Sequence, residues 1–256
     1  MIRKRIIGVI TVLNGWAVQS FGYQKYLPLG KPTVLAKNLE NWGADEIFIN
    51  SIDRSRKNLG PDFDLLNLIS DLSLSTPLIY GGGISSVKEA EKCIKVGCER
   101  ITVDSLLHNN PDSIKDISYK LGSQSIIASI PLLVINNKLF WFNYLKNNCQ
   151  DDFSNIKKIA SQNLISEFLL IDKNNEGKRN SFENKILNLF PFKDKPAILF
   201  GGLSEKDQIA NFLNKDSVAA VGIGNFLNYK EHMIQFYKEC LDNPNIRMPY
   251  FDYELY

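Results

Sequence analysis

An α/β barrel is the fold class that this sequence predicts, from its length, an alternation of apolar and helical segments, and an internal repeat. The chain has 256 residues, about the length of one α/β barrel domain. Its composition, 44% hydrophobic and 23% charged, is that of an ordinary globular protein. These totals predict a chain that can bury a full hydrophobic core.

Eight apolar segments of strand length alternate with helical patterns, such as the one over 87–94. Their near-continuous apolar character is typical of parallel strands that are buried on both faces. Eight strand–helix units that close on themselves form a TIM (β/α)8 barrel, and a doubly wound open sheet is the alternative. The predicted strands are 6–12, 46–49, 77–80, 100–103, 125–130, 168–171, 197–200 and 218–223.

An internal repeat favours the barrel over the open sheet. The segment 77–80 runs into Gly81-Gly82-Gly83, and the segment 196–200 runs into Gly201-Gly202 about half the chain later. Glu46 and Glu167 open two strands at nearly the same offset. We predict a single barrel over 1–241, built from half-barrels at about 1–121 and 122–241. The remainder, 242–256, is predicted to be an extended tail on the barrel surface.

Net charge, the N-terminal sequence and the cysteines indicate which partners, location and bound groups to expect. The net charge is only +2, so charge indicates neither nucleic acid nor membrane as a partner. The apolar run after the basic N-terminus is short and breaks at Asn14-Gly15, as in a buried strand rather than a signal peptide. The four cysteines have no close C-x-x-C spacing and no nearby His. We therefore expect a cytoplasmic protein with reduced cysteines that pack, no metal and no cofactor.

The chemistry of an α/β barrel lies at the carboxyl ends of its strands. At these ends, two glycine pairs leave bare backbone before a helix, which is a natural place to hold phosphate. The pairs are Gly82 with Gly83 and Gly201 with Gly202. Ser105 and Gly224 follow two strand ends later, so two phosphate sites are predicted; the alternative is tight turns alone. The long loop 14–30 carries four aromatic residues and is expected to be a lid, unless its aromatics only pack on the rim.

The sequence resembles the HisF family, the cyclase subunits of imidazole glycerol phosphate synthase, over nearly the whole chain. The segments 4–7, 43–46, 81–84, 122–124 and 201–202 match that family in order and spacing. The resemblance implies a barrel that takes ammonia from a glutaminase docked at its lower face. The ammonia is used at the upper face to cleave and cyclise a substrate with a phosphate at each end. A HisH-like glutaminase is the implied partner.

The resemblance also shows where this chain departs from the family. The family's two catalytic aspartates fall on Thr11 and Pro131, and neither residue can serve as an acid or base at neutral pH. The positions that the resemblance assigns to the phosphate sites also include Asp104 and Gly177. Asp104 and Glu176 bring carboxylates into these implied sites. We predict that cyclase chemistry is lost. A one-residue misalignment, with Asp104 or Asp172 acting instead, is the alternative.

At the lower face the family's pattern is kept. Its ammonia gate is a ring of four charged residues, which by position are Arg5, Glu46, Arg100 and Glu167, with Arg100 in place of a lysine. The resemblance therefore implies an ammonia gate here. The alternative is that alternating charges only close and stabilise the bottom of the barrel.

A subgroup of HisF-like paralogues combines these departures. Its members accompany a HisH-like glutaminase and an N-acetyl sugar amidotransferase in surface-polysaccharide pathways, including lipopolysaccharide biosynthesis. The missing first aspartate and the ending 246–250 resemble this subgroup. We expect a subunit that delivers ammonia for the acetamidino modification of a sugar. The ordinary histidine-pathway cyclase and a non-enzymatic phosphosugar-binding barrel are the alternatives.

Overall fold

The computed structural model describes residues 3–230, 232–241 and 243–248. These residues form strands, α-helices and two short 3₁₀ helices, Ser123–Ser125 and Asn225–Asn228. The strands are β1 (Arg5–Leu13), β2 (Trp16–Phe21), β3 (Lys25–Gly30), β4 (Glu46–Ser51), β5 (Leu78–Gly81), β6 (Arg100–Val103), β7 (Ile126–Ile135), β8 (Lys138–Asn143), β9 (Asn148–Gln150), β10 (Glu167–Asp172), β11 (Ala197–Phe200) and β12 (Val218–Ile223). The helices are α1 (Pro32–Asn41), α2 (Phe63–Ser70), α3 (Val87–Val96), α4 (Ser105–Asn109), α5 (Asp112–Leu121), α6 (Ser154–Ser161), α7 (Asn184–Leu189), α8 (Lys206–Leu213) and α9 (Met233–Glu239).

A closed barrel of parallel strands forms the centre of the described structure, in the order β1, β4, β5, β6, β7, β10, β11 and β12. Closure follows from the pairing of β1 with β12, where Ile6 faces Val221, and of β7 with β10, where Ile130 faces Leu170. The predicted TIM (β/α)8 barrel is confirmed, and the open sheet is excluded. The division at residue 121 into half-barrels stays a prediction.

All eight predicted barrel strands are present, but the predicted loop 14–30 is largely a hairpin. Strands β2 and β3 pair antiparallel, and β2 also pairs with the end of β1. The turn between β1 and β2 has positive φ at Asn14 (52°) and Gly15 (78°), the backbone that Asn-Gly adopts in a type I′ hairpin. The Asn-Gly pair was the available signal for this hairpin.

A second hairpin was not predicted at all. Strand β7 continues to Ile135 instead of ending near 130, and β8 and β9 follow it antiparallel. Its first turn is again built from residues that tolerate a left-handed backbone, Asn136 (φ 49°) and Asn137 (φ 60°). Both hairpins extend from the carboxyl ends of barrel strands, so they stand above the upper face of the barrel.

The buried apolar residues form two separate groups, because side chains alternate between the two faces of each strand. The larger group packs between the barrel and the helices and includes Ile47, Ile101 and Leu170. The smaller group consists of strand residues that fill the barrel interior: Ile7, Val9, Phe48, Ile79, Ile127, Leu169, Ile171, Ile198, Phe200 and Ala220. The interior is therefore a packed apolar column.

The described part of the predicted tail, 243–248, lies beside the start of the barrel. Ile246 forms a parallel bridge with Lys4, and Arg247 Nε lies 3.4 Å from Asp45 Oδ1. Residues 242 and 249–256 of the predicted tail lie outside the described residues. The tail therefore covers the lower end of the first two barrel strands at least over 243–248.

The cysteines only partly match the expected packing role. All four are free; Cys93 and Cys98 are buried, and Cys149 is exposed on β9, where it does not pack. Burial raises the pKa of the Cys93 thiol to about 12. Within 3–230, 232–241 and 243–248, His, Cys, Asp and Glu side chains form no group that could hold a metal ion. In the same ranges, no helix combines the length and apolar character that crossing a membrane requires.

Candidate functional site

Four charged side chains close the lower end of the barrel; we call them the charged ring. Arg5, Glu46, Arg100 and Glu167 are each the first residue of a barrel strand, so the parallel sheet places them at one level. Arg5 Nη2 lies 2.5 Å from Glu167 Oε1, and Arg5 Nε lies 3.6 Å from Glu46 Oε2. The two Nη atoms of Arg100 bind one glutamate each. Each arginine therefore contacts both glutamates.

The charged ring is largely buried, and its mutual attraction offsets part of the cost of burial. The Glu46 and Glu167 side chains are each 8% exposed, against 22% for Arg5. Burial raises the pKa of Glu46, and the charges of Arg100 and Arg5 oppose that shift. Burial acts to lower the pKa of Arg100, but the charges of Glu46 and Glu167 more than compensate, and the pKa is raised.

One edge of the charged ring is looser than the others. Arg5 Nε and Glu46 Oε2 face each other beyond hydrogen-bond distance, and neither atom has another hydrogen-bond partner among the described residues. The other three edges are hydrogen-bonded. The contact between Arg5 and Glu46 is therefore the weakest point of the closure.

An apolar lumen continues upward from the charged ring. Side chains two positions apart on a strand share a face, so Ile7, Phe48, Thr102 and Leu169 form the layer directly above the ring. They line a void of about 10 Å³, roughly the space of one water-sized molecule. Thr102 also lines a larger cavity at the top of the barrel. Thr102 therefore lies in the wall between the lumen and that cavity.

The larger cavity, which we call the upper cavity, has a volume of about 100 Å³. It collects all four residues of the first predicted phosphate site, Gly82, Gly83, Asp104 and Ser105. The tips of the two hairpins cover it, since Tyr23 and Tyr144 meet edge to face with ring centroids 5.5 Å apart. The other polar residues of its wall are Tyr26, Asn50, Ser51, Ser55, Arg56, Thr102, His108, Ser129 and Asn143.

The polar wall of the upper cavity is unusually poor in hydrogen bonds. Tyr23 Oη, Ser51 Oγ, His108 Nε2 and Tyr144 Oη are all buried and have no hydrogen-bond partner within the described part of the chain. Leaving such a group unpaired costs about 1–3 kcal/mol. Ser51 is 1% exposed, and the His108 side chain is 3% exposed. These atoms make the cavity a candidate binding site.

Asp104 and His108 form the ionisable pair of the upper cavity. His108 Nε2 lies 3.7 Å from Asp104 Oδ1. The Asp104 side chain is 31% exposed but lies deep in the cavity wall, and burial raises the pKa of its carboxyl to about 8. Burial lowers the pKa of His108 to about 4. At neutral pH the imidazole is uncharged, and much of Asp104 keeps its proton.

The second predicted phosphate site lies at a much smaller void than the first. Gly177, Gly201, Gly202 and Gly224 do line one void, but its volume is only about 10 Å³. Glu176, which is 2% exposed, lies beside this void, and its carboxylate accepts hydrogen bonds from Ser20 Oγ (2.9 Å) and Tyr23 N (3.2 Å). A side chain of the protein thus holds the first hairpin down over this site. Phosphate binding by these glycines stays a prediction.

The repeated glycines have a packing role at both positions. A Cβ on Gly82 would lie 2.2 Å from the Ser51 carbonyl oxygen, and one on Gly201 would lie 2.6 Å from that of Asp172. Both glycines also have positive φ, 127° and 101°. Neighbouring strand ends approach too closely for any larger residue. The packing of the barrel therefore requires glycine at both turns.

The two positions of the family's aspartates bring no ionisable group to the upper cavity. Thr11 is buried and lines a separate void of about 10 Å³ with Val18 and Leu29. Pro131 is buried within β7, opposite Ile171. Asp172 is engaged in loop structure, because its carboxylate accepts hydrogen bonds from the Asn175 and Glu183 backbones. Of the two alternative carboxylates, only Asp104 faces the upper cavity.

Sequence reasoning missed His108, Ser51 and Tyr144 as residues of the upper cavity. Tyr144 lies on the unpredicted second hairpin, whose signal was Asn136-Asn137. Because His108 lies four positions after Asp104, a helix start after Asp104 would have brought the two together. Ser51 ends the second barrel strand, and this position at a strand end was its available signal.

The chain is a TIM-barrel protein that has a polar site at each end of an apolar lumen. A sequence model of the histidine biosynthesis protein family matches residues 5–233. The chain therefore belongs to this family, as a member of its HisF group.

Individual relatives cover nearly the whole chain. The imidazole glycerol phosphate synthase subunit HisF of Flavobacterium psychrophilum is 29% identical over 97% of this chain and 99% of its own length. The HisF of Streptococcus mutans is 26% identical over 97% of this chain and 100% of its own length. A Vibrio vulnificus protein, provisionally named subunit hisF2 of the same synthase, is 28% identical over 91% of this chain and 86% of its own.

Proposed function

We propose that this chain is the barrel subunit of a glutamine amidotransferase system and conducts ammonia from a HisH-like glutaminase. The carrying observation is the contrast between the two ends of the barrel. The charged ring is complete and closed, whereas Thr11 and Pro131 offer no group for acid–base work. The ammonia would serve the acetamidino modification of a sugar in polysaccharide biosynthesis, through an N-acetyl sugar amidotransferase.

The interior supports transport of a small neutral molecule. Above the charged ring, the lumen is lined by apolar side chains and has room for about one water-sized molecule. An apolar wall disfavours ions, because burying an unpaired charge is costly. Neutral ammonia is compatible with such a wall, and Thr102 stands between this wall and the upper cavity. In this proposal the loose Arg5–Glu46 contact is the edge that opens.

The histidine-pathway cyclase is the alternative function, and two of the relatives are named as HisF subunits of imidazole glycerol phosphate synthase. It would require other residues to replace the two aspartates. Asp104 is the available carboxyl group in the upper cavity, but its ionised form repels a phosphate-bearing substrate. We therefore prefer the conduit. Ammonium-dependent cyclisation of the histidine-pathway intermediate by the unmodified chain would contradict it, whereas turnover only after Thr11→Asp and Pro131→Asp would support it.

The conduit is tested with Arg5→Ala in the complex of this chain with its glutaminase and amidotransferase. Removing Arg5 opens the loosest edge of the ring while Arg100 still binds both glutamates. We expect glutamine-dependent product formation to fall severalfold and ammonium-dependent formation to stay unchanged, because only delivery is impaired. Arg3→Ala, at an exposed arginine two residues away, is the matched control. An equal loss with both nitrogen sources would exclude a gate.

A further inference from the structure

The upper cavity combines features that point to a cation rather than a phosphate. Asp104 stands on the inner face of the same strand column as Arg100 and Thr102, two positions apart at each step. Asp104 follows the last residue of β6 and lines the upper cavity together with Thr102, so its carboxyl lies on the cavity side of the lumen.

Within the described structure, the ionised form of the Asp104 carboxyl has no charged basic side chain in direct contact to balance it. Among the described residues, no Lys or Arg forms an ion pair with Asp104. Arg56 lies in the cavity wall, but its Nε donates to the Tyr144 carbonyl oxygen at 3.2 Å and its guanidinium lies over the Tyr144 ring. Burial and then Asp104 itself raise the pKa of Tyr144, and burial and then Glu176 raise that of Tyr23. A positive ligand would relieve this imbalance.

The unpartnered atoms suit a ligand that donates hydrogen bonds. Tyrosine and serine hydroxyls can accept a hydrogen bond, as can the ionised form of Asp104. Ser51 Oγ, Tyr23 Oη and Tyr144 Oη all line the cavity without a partner in the described residues. The two tyrosine rings also offer electron-rich faces, which attract ammonium groups. Hydroxyls, aromatic rings and one carboxyl together form the chemistry of an ammonium site.

The same wall is poorly suited to phosphate. The N–H of Gly83 is already donated to Ser55 Oγ at 3.1 Å, so the glycine turn does not offer it to an anion. The ionised form of Asp104 would repel a phosphate in this partly buried place, and its protonated form offers only one O–H donor. Glu176 likewise places a carboxylate beside the second glycine turn. Both former anion positions now carry acidic side chains.

We propose that the upper cavity is a binding site for an N–H cation, either ammonium itself or the primary ammonium group of a small amine. The inference deepens the proposed function and rests on it, because the conduit would deliver its ammonia to this cavity. Neutral ammonia that reaches Asp104 takes the carboxyl proton on its lone pair, which leaves an ammonium ion and a carboxylate in contact. No further reactant is required. The site then holds the nitrogen at the upper face, between the hairpin tips.

The test uses the isolated full chain, without a glutaminase, so that it stands apart from the coupling experiment. Ammonium chloride is titrated in sodium chloride at constant ionic strength, and tryptophan fluorescence is recorded. Trp141 reports on the site, because it is fully buried and stacks on His108 with ring centroids 3.7 Å apart. We expect a saturable ammonium response, a similar one with methylammonium if the site accepts amines, and none with phosphate.

Substitutions distinguish ammonium binding at this site from general effects of ammonium on the protein. Asp104→Asn should weaken ammonium binding at least tenfold, and Tyr144→Phe, which keeps the ring and removes the hydroxyl, should weaken it less. Asp116→Asn removes an exposed carboxylate in the middle of α5 and should leave the affinity unchanged. Near-ultraviolet circular dichroism verifies that each variant is folded.

Three results would overturn the proposal. They are unchanged ammonium affinity in folded Asp104→Asn, a phosphate response stronger than the ammonium response, or a potassium response equal to the ammonium response. Potassium carries the same charge but has no N–H group, so it tests hydrogen bonding separately from charge. A failed coupling experiment with intact ammonium binding would reject the conduit and leave this site standing.

Discussion

The charged ring and the upper cavity are both polar sites on one barrel axis, yet they are satisfied to opposite degrees. In the ring, each arginine contacts both glutamates, and the charges close the lumen by binding one another. In the cavity, Asp104 has no ion-pairing lysine or arginine among the described residues, and four buried polar atoms lack partners there. Polar groups that satisfy each other form a closure, whereas polar groups left unpaired provide places for a ligand.

The comparison predicts its largest effect where a paired charge is removed. Glu167→Ala deletes contacts to both arginines and leaves them sharing Glu46 alone in a buried layer. Breaking a buried ion pair costs about 3–5 kcal/mol, so we expect a loss of about 3 kcal/mol in the free energy of unfolding, measured by urea denaturation.

The control for this prediction is Glu205→Ala. Glu205 binds Arg179 at 2.6 Å, but the Arg179 side chain is 74% exposed. An exposed pair contributes less than about 1 kcal/mol. If the two variants lost equal stability, the ring would behave as an ordinary surface network, and the contrast with the cavity would disappear.

In the upper cavity, replacing a carboxyl side chain should instead stabilise the folded chain, by an amount that depends on pH. Folded Asp104 has a pKa of about 8, whereas an exposed Asp has a pKa of about 3.9. Between these values the unfolded chain releases a proton that the folded chain keeps, so folding stability falls as pH rises. Asp104→Asn removes this penalty. We expect little gain near pH 4 and a gain on the order of 1–3 kcal/mol at pH 8, by urea denaturation.

Asp116→Asn is the matched control, because Asp116 lies exposed in the middle of α5. Its substitution should change stability by less than about 0.5 kcal/mol at either pH. A gain from Asp104→Asn that is the same at pH 4 and pH 8 would show that the carboxyl does not sit in a desolvated wall. The cavity would then be less distinct from the ring than its unpaired atoms suggest.

The sequence predicts the barrel better than it predicts the upper cavity, for physical reasons. Apolar strand runs such as 197–200 and 218–223 are local signals, and both strands form where they were expected. The charged ring follows once strand starts are known, because parallel strands bring their first residues to one level. The cavity instead depends on two hairpins that carry Tyr23 and Tyr144 across the barrel top, and such a long-range meeting has no local pattern.

The glycine turns show how a correct pattern can lead to an uncertain function. Bare backbone before a helix predicted phosphate sites at both turns. The structure shows that Gly82 and Gly201 are needed for close packing against neighbouring strand ends, whatever ligand is bound. Glycine spacing therefore identifies the barrel, but the side chains around it, Asp104 and Glu176, decide which ligand fits. Their carboxylates are visible in the sequence, and their burial is not.

The smallest expected effect concerns the geometry of the ring rather than its charge. Arg100 binds Glu46 and Glu167 through separate Nη atoms, which a single lysine ammonium reproduces less well. Arg100→Lys keeps the charge, so we expect a loss of about 1 kcal/mol or less in the free energy of unfolding. Arg179→Lys, at the exposed pair with Glu205, is the control and should be nearly neutral. A loss as large as that of Glu167→Ala would mean that the planar fork itself, and not the balance of charges, holds the lower end closed.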